Sequence, residues 1–340
     1  MRNLLKLLSI LLILVMIFSF KQFLISKDYN TTFKNTLFNY NQITKQLINN
    51  YFSEDPSLKK EAENIIKEYV LKDLGYENWL DYIKYINITI YPVDFSNNNN
   101  KDLIIALNIS KDIGVIGFYT AIDDYYIYNN KIENLVEIKN VNTIVDKQNN
   151  RIFIITEEFL DERVGAYLTD IFIRVHTNID KDFKEVFRVS KEYETYFNES
   201  WLDPSIESPK WYKLTENNLI DYLITEDNKF VFNVSKSLNK FESKKPSVEI
   251  PKDFTLIETK NYDIKYTWMD KYNYFILSEG IIKSTQEKVG IIEDSRLNVE
   301  SLLNFSNEYF KIIDKNGKIR IIKPDNIKIL NRYILKKSGE

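Results

Sequence analysis

The stretch LLSILLILVMIFSF, residues Leu7–Phe20, contains no charged side chain, and Lys6 and Lys21 close its two ends. With its apolar flanks the segment extends over Leu4–Ile25. A helix rises about 1.5 Å per residue, so this segment reaches about 33 Å and matches the roughly 30 Å hydrocarbon core of a bilayer. The two lysine stems can carry their ammonium groups to the interface. The sequence therefore predicts a membrane anchor over residues 1–27, with the rest of the chain on one side of a membrane.

Two other interpretations of this segment stay open. A cleaved signal peptide has a basic start, a short apolar run and a small-x-small cleavage site. The basic start is present, but Phe20 follows Ser19 and Leu24 lies two residues before Ser26, which makes a poor cleavage site. A cytoplasmic protein with an apolar first helix is the third interpretation. The uncleaved anchor fits best, and we expect the body to be extracytoplasmic because a single early anchor before a long C-terminal domain is typical of exported proteins.

The composition limits the chemistry of the body. The 340 residues include no Cys and one His, which removes disulfides, thiol nucleophiles and most zinc arrangements. Of 46 basic residues four lie within residues 1–27, so 42 basic residues face 49 acidic ones in the remainder and the net charge there is −7. A body with this net negative charge has no overall positive potential to attract nucleic acid, so nucleic acid is not an expected partner. The bias toward Lys, Asn, Ile, Tyr and Phe resembles that of uncharacterised membrane-anchored proteins of low-GC Gram-positive bacteria.

Residues 28–86 have the three-and-four spacing of apolar side chains that is typical of helices. Ser53 or Asp55 can cap a helix that has Pro56 in its first turn, and Gly75 is a stop signal. A short third helix is predicted around Trp79. We expect this helical region to form a small bundle that packs on the domain behind it, and a stalk that pairs with a partner near the membrane is the alternative.

From Ile88 the hydrophobic period changes to that of strands. Runs of β-branched and aromatic residues are separated by short polar turns, and this spacing favours an antiparallel meander over βαβ units. We therefore predict an α+β fold whose ectodomain is mostly antiparallel β structure. Its predicted parts are an N-terminal transmembrane helix, a short helical region over 28–86, a β domain over 87–241, a linker over 242–252 and a C-terminal β region over 253–340. Whether the ectodomain is propeller-like, a sandwich or a set of small barrels stays open.

The C-terminal region contains an internal echo at an offset of thirty residues. Glu287–Val299 aligns with Gly317–Ile329, and the pair Ile291-Ile292 matches Ile321-Ile322. Each copy has the pattern of a strand, a turn and a returning strand. If the copies are equivalent, matching isoleucines should occupy equivalent positions. Asn316-Gly317 predicts a hairpin turn, because both residues tolerate a positive φ.

One loop has the spacing of a metal site. Asp94, Ser96, Asn98 and Asp102 place oxygen ligands at the first, third, fifth and ninth positions of the stretch DFSNNNNKD. The loop resembles the D-x-N-x-D-G-x-x-D-L loop of FG-GAP-type β-propeller repeats, which implies a calcium site with a strand on either side. Asparagines replace the family's central Asp and Gly, so two carboxylates remain and the affinity for Ca²⁺ should be weak. A polar hairpin loop without a metal is the alternative.

Acids, His176 and tryptophans are the remaining candidates for chemistry. Three adjacent acidic pairs could supply the two carboxylates of a glycoside hydrolase; they are Asp123-Asp124, Glu157-Glu158 and Asp161-Glu162. Such pairs are more often exposed turns, so we assign no catalytic residue. His176 lies opposite the apolar face of a strand pattern, which predicts an exposed or half-buried side chain. Three tryptophans could stack on sugars or pack in the fold; they are Trp201, Trp211 and Trp268.

Together these patterns predict a membrane-anchored extracytoplasmic protein that acts as a non-enzymatic binding or interaction module at the cell envelope. It contacts the membrane through residues 4–25, and an envelope protein or polysaccharide is the expected partner. Calcium is the one cofactor that the sequence suggests. The alternative is a carboxylate-based hydrolase that acts on envelope polysaccharide. A grooved β surface would favour the binding module, and a concave pocket with two facing carboxylates would favour the enzyme.

Overall fold

The computed structural model describes most of the chain; the described residues are 42–94, 101–146, 149, 151–164, 167–201, 203–227, 229–303, 307–331 and 333–337. The predicted anchor over residues 1–27 lies outside them. Within the described residues, no helix is both long enough and apolar enough to cross a bilayer. This part of the chain is mostly antiparallel β structure with few helices, which confirms that part of the predicted fold class.

The chain divides into two compact units. In the described residues, the first unit is 42–69 with Ile122–Ile127, and the second is Val70–Ala121 with the chain from Tyr128 onward. In the first unit a two-residue strand at Ile43–Thr44 pairs antiparallel with Tyr125 and Tyr126. The polar groove and the cavities described below belong to the second unit.

The α-helices and the longest 3-10 helix of the described residues lie between residues 45 and 85. Helix α1 spans Lys45–Tyr51, helix α2 spans Pro56–Leu74, and a 3-10 helix spans Glu77–Tyr85. The Oδ1 of Asp55 accepts a hydrogen bond from the N–H of the second residue of α2, and this cap confirms the predicted start. Gly75 follows α2 with a φ of +82°, the left-handed conformation that ends many helices, and confirms the predicted stop.

The described residues contain nineteen strands. They are β1 (Ile43–Thr44), β2 (Asn87–Val93), β3 (Asp102–Ser110), β4 (Ile113–Ile122), β5 (Tyr125–Leu135), β6 (Glu137–Asp146), β7 (Arg151–Glu162), β8 (Leu168–Ile179), β9 (Asp182–Asn198), β10 (Trp211–Ile224), β11 (Phe230–Ser243), β12 (Phe254–Met269), β13 (Tyr274–Ile276), β14 (Ser278–Ile282), β15 (Lys288–Asp294), β16 (Phe310–Ile313), β17 (Ile319–Ile322), β18 (Ile327–Ile329) and β19 (Ile334–Lys337).

The first sheet of the second unit has the order β5-β4-β3-β2. Its central strands are apolar on both faces; Ile104 of β3 and Ile116 of β4 are fully buried. They form one core with Ile138 and Val141 of β6 and with Ile154 of β7. Because β6 and β7 belong to the next sheet, this core joins two sheets face to face, and it covers one face of β7.

The second sheet is a meander of consecutive strands from β6 to β13, and β19 adds to it by pairing with β12. Phe153 of β7 meets Trp268 of β12 with ring centroids 5.0 Å apart, and Phe275 of β13 at 5.9 Å. Four strands separate β7 from β12 in the sheet, so the sheet must fold over on itself at this end. The guanidinium of Arg151 stacks on Trp268 and pairs with Asp270, which ties the two sides together.

The third sheet has the order β17-β16-β15-β14-β18. Its inner side chains, such as Ile291 and Phe310, pack against Leu214 of β10 and Leu238 of β11. Leu302, from a 3-10 helix at Val299–Leu303, also packs in this core. One face of β10 and β11 is therefore covered in part by the third sheet, and the middle of the opposite face, around Asn217 and Ser235, is exposed.

Two predicted connections can be compared with the strands. β16 and β17 pair as a hairpin, and Gly317 between them has a φ of +78°, which confirms the predicted turn. The predicted linker 242–252 begins inside β11 and ends just before β12. Ser243 and Phe254 are paired across these two strands, so the segment connects neighbouring strands of one sheet.

The two copies of the echo do not occupy equivalent positions. Ile291 is fully buried in β15, which has a neighbour on each side, whereas Ile321 is 70% exposed. Ile321 belongs to β17, which lies at the edge of the sheet and, among the described strands, pairs only with β16. The expectation that matching isoleucines behave alike is wrong, because similar strand sequences occupy a central strand in one copy and an edge strand in the other.

Candidate functional site

A row of small polar side chains crosses the exposed face of β10, β11 and β12. Successive strand residues point to opposite faces, and the register places Asn217, Ser237 and Asn261 side by side, with Ser235 and Asp263 in the next row. These five residues line a depression of about 590 Å³, which we call the polar groove. The hydroxyl of Ser235 donates a hydrogen bond to Oδ1 of Asp263 at 2.7 Å. The hydroxyl of Ser237 accepts a hydrogen bond from Nδ2 of Asn239 at 3.5 Å, and Asn217 and Asn261 line the groove beside it.

A second depression, of about 280 Å³, continues the polar groove across β8, β9 and β10. Glu192 and Asn217 line both depressions. Farther along, Thr169, Glu194 and Thr215 lie opposite one another in the strand register. Hydroxyl, amide and carboxylate groups therefore alternate over five neighbouring strands, and they supply both donors and acceptors.

Four aromatic side chains lie at the end of this face, and we call them the aromatic end cluster: Tyr167, Phe197, Trp201 and Trp211. The Trp201 ring is stacked on Tyr167 with centroids 6.0 Å apart and planes inclined by 25°. It meets Trp211 and Phe197 edge-on at 5.3 and 5.2 Å. Trp211 is buried beneath it, but Trp201 itself is 50% exposed. The cluster thus holds one indole in a fixed orientation and leaves half of its surface to solvent.

Hydrogen bonds fix the segment that carries Trp201. Oδ1 of Asn198, the last residue of β9, accepts the N–H of Ser200 at 3.0 Å and begins the turn. The carboxylate of Glu199 accepts the hydroxyl of Tyr212 at 2.6 Å and the N–H of Lys210 at 2.8 Å. Burial raises the pKa of Tyr212 first and this bond to Glu199 raises it further, so the phenol stays a neutral donor. The orientation of Trp201 is therefore preorganised.

Trp211 connects the aromatic end cluster to the face of the polar groove. Trp211 and Asn217 are an even number of residues apart on β10, so both side chains point to the same side of the sheet. Six strand residues span about 20 Å. A single small molecule is too short to contact both ends, whereas an extended polar chain can lie along the whole face.

The predicted calcium ligands are only partly within the described residues, because Ser96 and Asn98 lie outside them. Asp94 is exposed directly after β2, and Asp102 opens β3, so strands lie on either side of the loop and pair with each other. Asp102 is 1% exposed, and its Oδ1 accepts the N–H of Ala121 at 2.9 Å. The calcium site stays a prediction; millimolar Ca²⁺ should raise the melting temperature, and no such rise would leave the hairpin-loop alternative.

The acidic pairs proposed for hydrolysis have separate environments. Asp123 and Asp124 lie in the exposed turn between β4 and β5. Glu157 forms an ion pair with Lys191, and Asp161, on the same strand, forms one with Arg163. Neighbouring strand residues point to opposite faces, so Glu157 and Glu158 cannot face each other across a substrate.

Glu158 belongs to a buried network on the other face of β7. Its carboxylate accepts hydrogen bonds from the hydroxyl of Thr156 at 2.7 Å and from the N–H of Val136 at 2.9 Å. The Nε of Arg174 lies 3.3 Å from it, and an Nη of this arginine donates to the carbonyl of Asn134. Burial raises the pKa of Glu158, and the charge of Arg174 opposes this rise. The pair connects β7 and β8 to the loop before β6 and has a structural role.

The predicted exposure of His176 is wrong, because this side chain is only 5% exposed. In the register of β7 and β8 it lies opposite Ile154, which belongs to the core shared with the first sheet. The sequence pattern identified one apolar face of β8, but the other face is also covered. Desolvation, followed by the charge of Arg174, lowers the pKa of His176 to about 3.

The structure separates the three candidate tryptophans. Trp211 and Trp268 are buried and pack in the fold, while Trp201 alone among them remains available for stacking. Sequence reasoning missed the polar groove entirely. A signal was present in VSKSLNK, where small polar residues alternate with Lys236 and Leu238, but which of the two faces is covered depends on the third sheet.

Comparisons of the chain with protein-family models, with curated proteins and with solved structures find no match.

Proposed function

We propose that this protein is a non-enzymatic, membrane-anchored binding protein of the cell envelope, and that the polar groove and the aromatic end cluster hold a polysaccharide chain. The observation that carries the proposal is the continuous polar face that runs from Trp201 to Asp263.

The side chains of this face suit a ligand rich in hydroxyl groups. Ser, Asn, Thr and carboxylate side chains can each donate to or accept from a sugar hydroxyl. The buried centres of protein–protein interfaces are instead depleted in Ser, Asp and Glu. The half-exposed indole of Trp201 can pack on the apolar C–H face of a sugar ring. Carbohydrate therefore matches this surface better than a protein partner does.

The charges favour a neutral polysaccharide. The ionised residues that line the two depressions are three acids and three bases: Glu192, Glu194, Asp263, Lys191, Lys236 and Arg163. A lining without net charge offers no long-range attraction to a charged polymer, which leaves hydrogen bonding and stacking as its means of binding.

The location of the protein rests on the sequence. The apolar segment Leu4–Ile25 supports a transmembrane helix, and this helix would hold the β-rich body at the outer surface of the membrane. An α+β protein with one such helix and a polysaccharide-binding face would attach the membrane to the polymers around it.

Affinity electrophoresis tests the proposal. The full chain, in detergent micelles, is run through native gels that contain hydroxyethyl cellulose, mannan or glycol chitin. We expect at least one of these neutral polysaccharides to retard the protein. Trp201→Ala should abolish most of the retardation, because truncating a stacked aromatic anchor typically costs about 2 kcal/mol or more.

Matched variants locate the binding face. Asn217→Leu and Ser237→Leu, which replace exposed or half-exposed polar groups of the groove, should weaken retardation. Tyr82→Ala removes an exposed aromatic side chain from the 3-10 helix at Glu77–Tyr85, and it should leave the retardation unchanged. Retardation that is equal in all variants would contradict the proposal, as would none with any polymer. Release of reducing ends from the polymers would favour the hydrolase instead.

A further inference from the structure

A second cavity, of about 420 Å³, lies on the opposite face of the same strands. Glu216 of β10 and Lys236 of β11 alternate with the residues of the polar groove and so point to the other side of the sheet. Elements of the C-terminal part of the chain provide the remaining wall, which includes Glu293, Glu300 and Lys311. We call this the acidic cavity.

The charges around the acidic cavity do not balance. Its ionised lining residues are four acids and three bases: Glu185, Glu216, Glu293, Glu300, Arg188, Lys236 and Lys311. Behind them, Asp170 pairs with Arg188 at 3.2 Å and Arg174 lies 3.5 Å from Glu185. Arg174 also lies 3.3 Å from Glu158, so the groups behind the lining add two acids and one base. The lining itself keeps an excess of one negative charge.

This excess can be assigned to Glu300. Glu216 is bound by Lys236 at 2.7 Å. Glu293 accepts hydrogen bonds from Tyr309 at 2.9 Å and from Asn298 at 3.1 Å. Among the described residues, Glu300 has no ion-pair partner, and it reaches solvent at the cavity. Partial desolvation of its carboxylate raises its pKa, the nearby Glu216 and Glu293 raise it further, and the charge of Lys236 opposes this rise only in part. A cation beside Glu300 would relieve both effects.

Three tyrosine rings complete the lining: Tyr193, Tyr266 and Tyr274. Burial raises the pKa of each of them, so their hydroxyls remain neutral. The face of a neutral phenol ring attracts a cation through its quadrupole, most strongly where water is excluded.

We propose that the acidic cavity binds a small organic cation with an alkylated ammonium group, held between the carboxylate of Glu300 and the tyrosine rings. A bare metal ion is a poorer occupant, because no cluster of three or more acids in the described part of the chain is placed to hold one. This site is separate from the polar groove and does not depend on polysaccharide binding.

Isothermal titration of the full chain in detergent micelles tests the site. The probes are choline and 3,3-dimethylbutan-1-ol, which has the same shape without the charge. We expect choline to bind and its neutral isostere to bind about tenfold more weakly. Equal affinities, or no binding of choline at about ten millimolar, would overturn the proposal.

Variants connect the binding to the cavity. Glu300→Gln keeps the size of the side chain and should weaken choline binding by about tenfold, and Tyr193→Leu should weaken it severalfold. Glu61→Gln, an equal change of charge on the exposed face of α2, should have no effect. Unchanged affinity in Glu300→Gln would refute the site. Since Glu300 is exposed, loss of folding is not expected, and an unchanged melting temperature checks this.

Discussion

His176 is the one histidine of the chain, and its burial makes it a reporter of the fold. Its pKa is lowered to about 3 in the folded state, while an unfolded histidine titrates near about 6.5. Between these two pH values the imidazole is protonated in the unfolded chain and neutral in the folded chain. The imidazole therefore contributes stability that is present above about pH 6.5 and is lost progressively as the pH falls toward 3.

Denaturant unfolding at pH 7 and pH 5 measures this effect. Between pH 7 and pH 5, protonation of His176 in the unfolded chain should lower the free energy of unfolding of the wild type by about 2 kcal/mol. The His176→Leu variant should lack this decrease. The raised pKa values of Glu158 and Asp170 change the free energy of unfolding in the opposite direction as the pH falls. The difference between the wild type and the variant therefore isolates the contribution of the histidine. A single imidazole NMR signal that titrates near pH 6.5 in the folded protein would contradict the burial.

At the residue scale, sequence reasoning predicted types of side chain better than their environments. The Asp55 cap and the Gly75 and Gly317 turns were predictable, because they depend on local backbone conformation. The burial of His176 and the exposure of Trp201 were not, because each depends on which distant element covers that face. No local pattern contains that information.

At the element scale, the β16–β17 hairpin gives a direct test of turn geometry. Gly317 has a φ of +78° with open space around the position of an added Cβ, so Gly317→Ala is strained by the backbone alone. We expect a loss of about 1 kcal/mol in the free energy of unfolding. Lys318→Ala, beside it in the same turn, should change stability by less than about 0.5 kcal/mol. Equal effects in chemical denaturation would show that the turn conformation is different.

The two copies of the echo provide a second test at this scale. Ile291→Ala removes a fully buried side chain from β15 and should cost about 2–5 kcal/mol. Ile321→Ala, at the matching position of the exposed edge strand, should cost less than about 0.5 kcal/mol. Denaturant melts of the two variants measure the difference. A large loss for Ile321→Ala would mean that another element or a second molecule covers β17.

The positions of strands could be predicted because hydrophobic alternation is a local property. Their assembly could not. The segment 242–252 has the charged, proline-containing composition of a linker, and yet Ser243 and Phe254 on its two sides are paired in one sheet. Composition reports that a segment is solvated, whereas strand pairing depends on the strands that it connects.

At the scale of the whole molecule, the runs of β-branched and aromatic residues separated by short polar turns correctly predicted a mostly antiparallel β fold. The grouping into sheets was not predictable, and a continuous meander from β6 to β13 exceeds the four-stranded blade of a propeller. The number of strands in a sheet is set by long-range pairing and by how the sheet folds over, as the contact between Phe153 and Trp268 illustrates.

The predicted anchor also belongs to this scale. Expressed in a bacterium, the protein should remain with the membrane fraction and retain residues 1–27, because the apolar segment lacks a good cleavage site. Protease added to protoplasts should digest the body. A released product whose N-terminus lies near residue 20–27 would show instead that the segment is a cleaved signal, and full protection would reverse the orientation.

The measurement that tests the central claim most directly is ¹⁹F NMR of the full chain labelled with 5-fluorotryptophan. The four tryptophans give four signals that single Trp→Phe variants assign, and Trp201 is the half-exposed one on the polar face. When the polysaccharide that retards the protein is added, the signal of Trp201 should shift or broaden most, while that of Trp79, which lines neither depression of the polar face, stays in place. A response of Trp79 with Trp201 unchanged would contradict a polysaccharide site on this face.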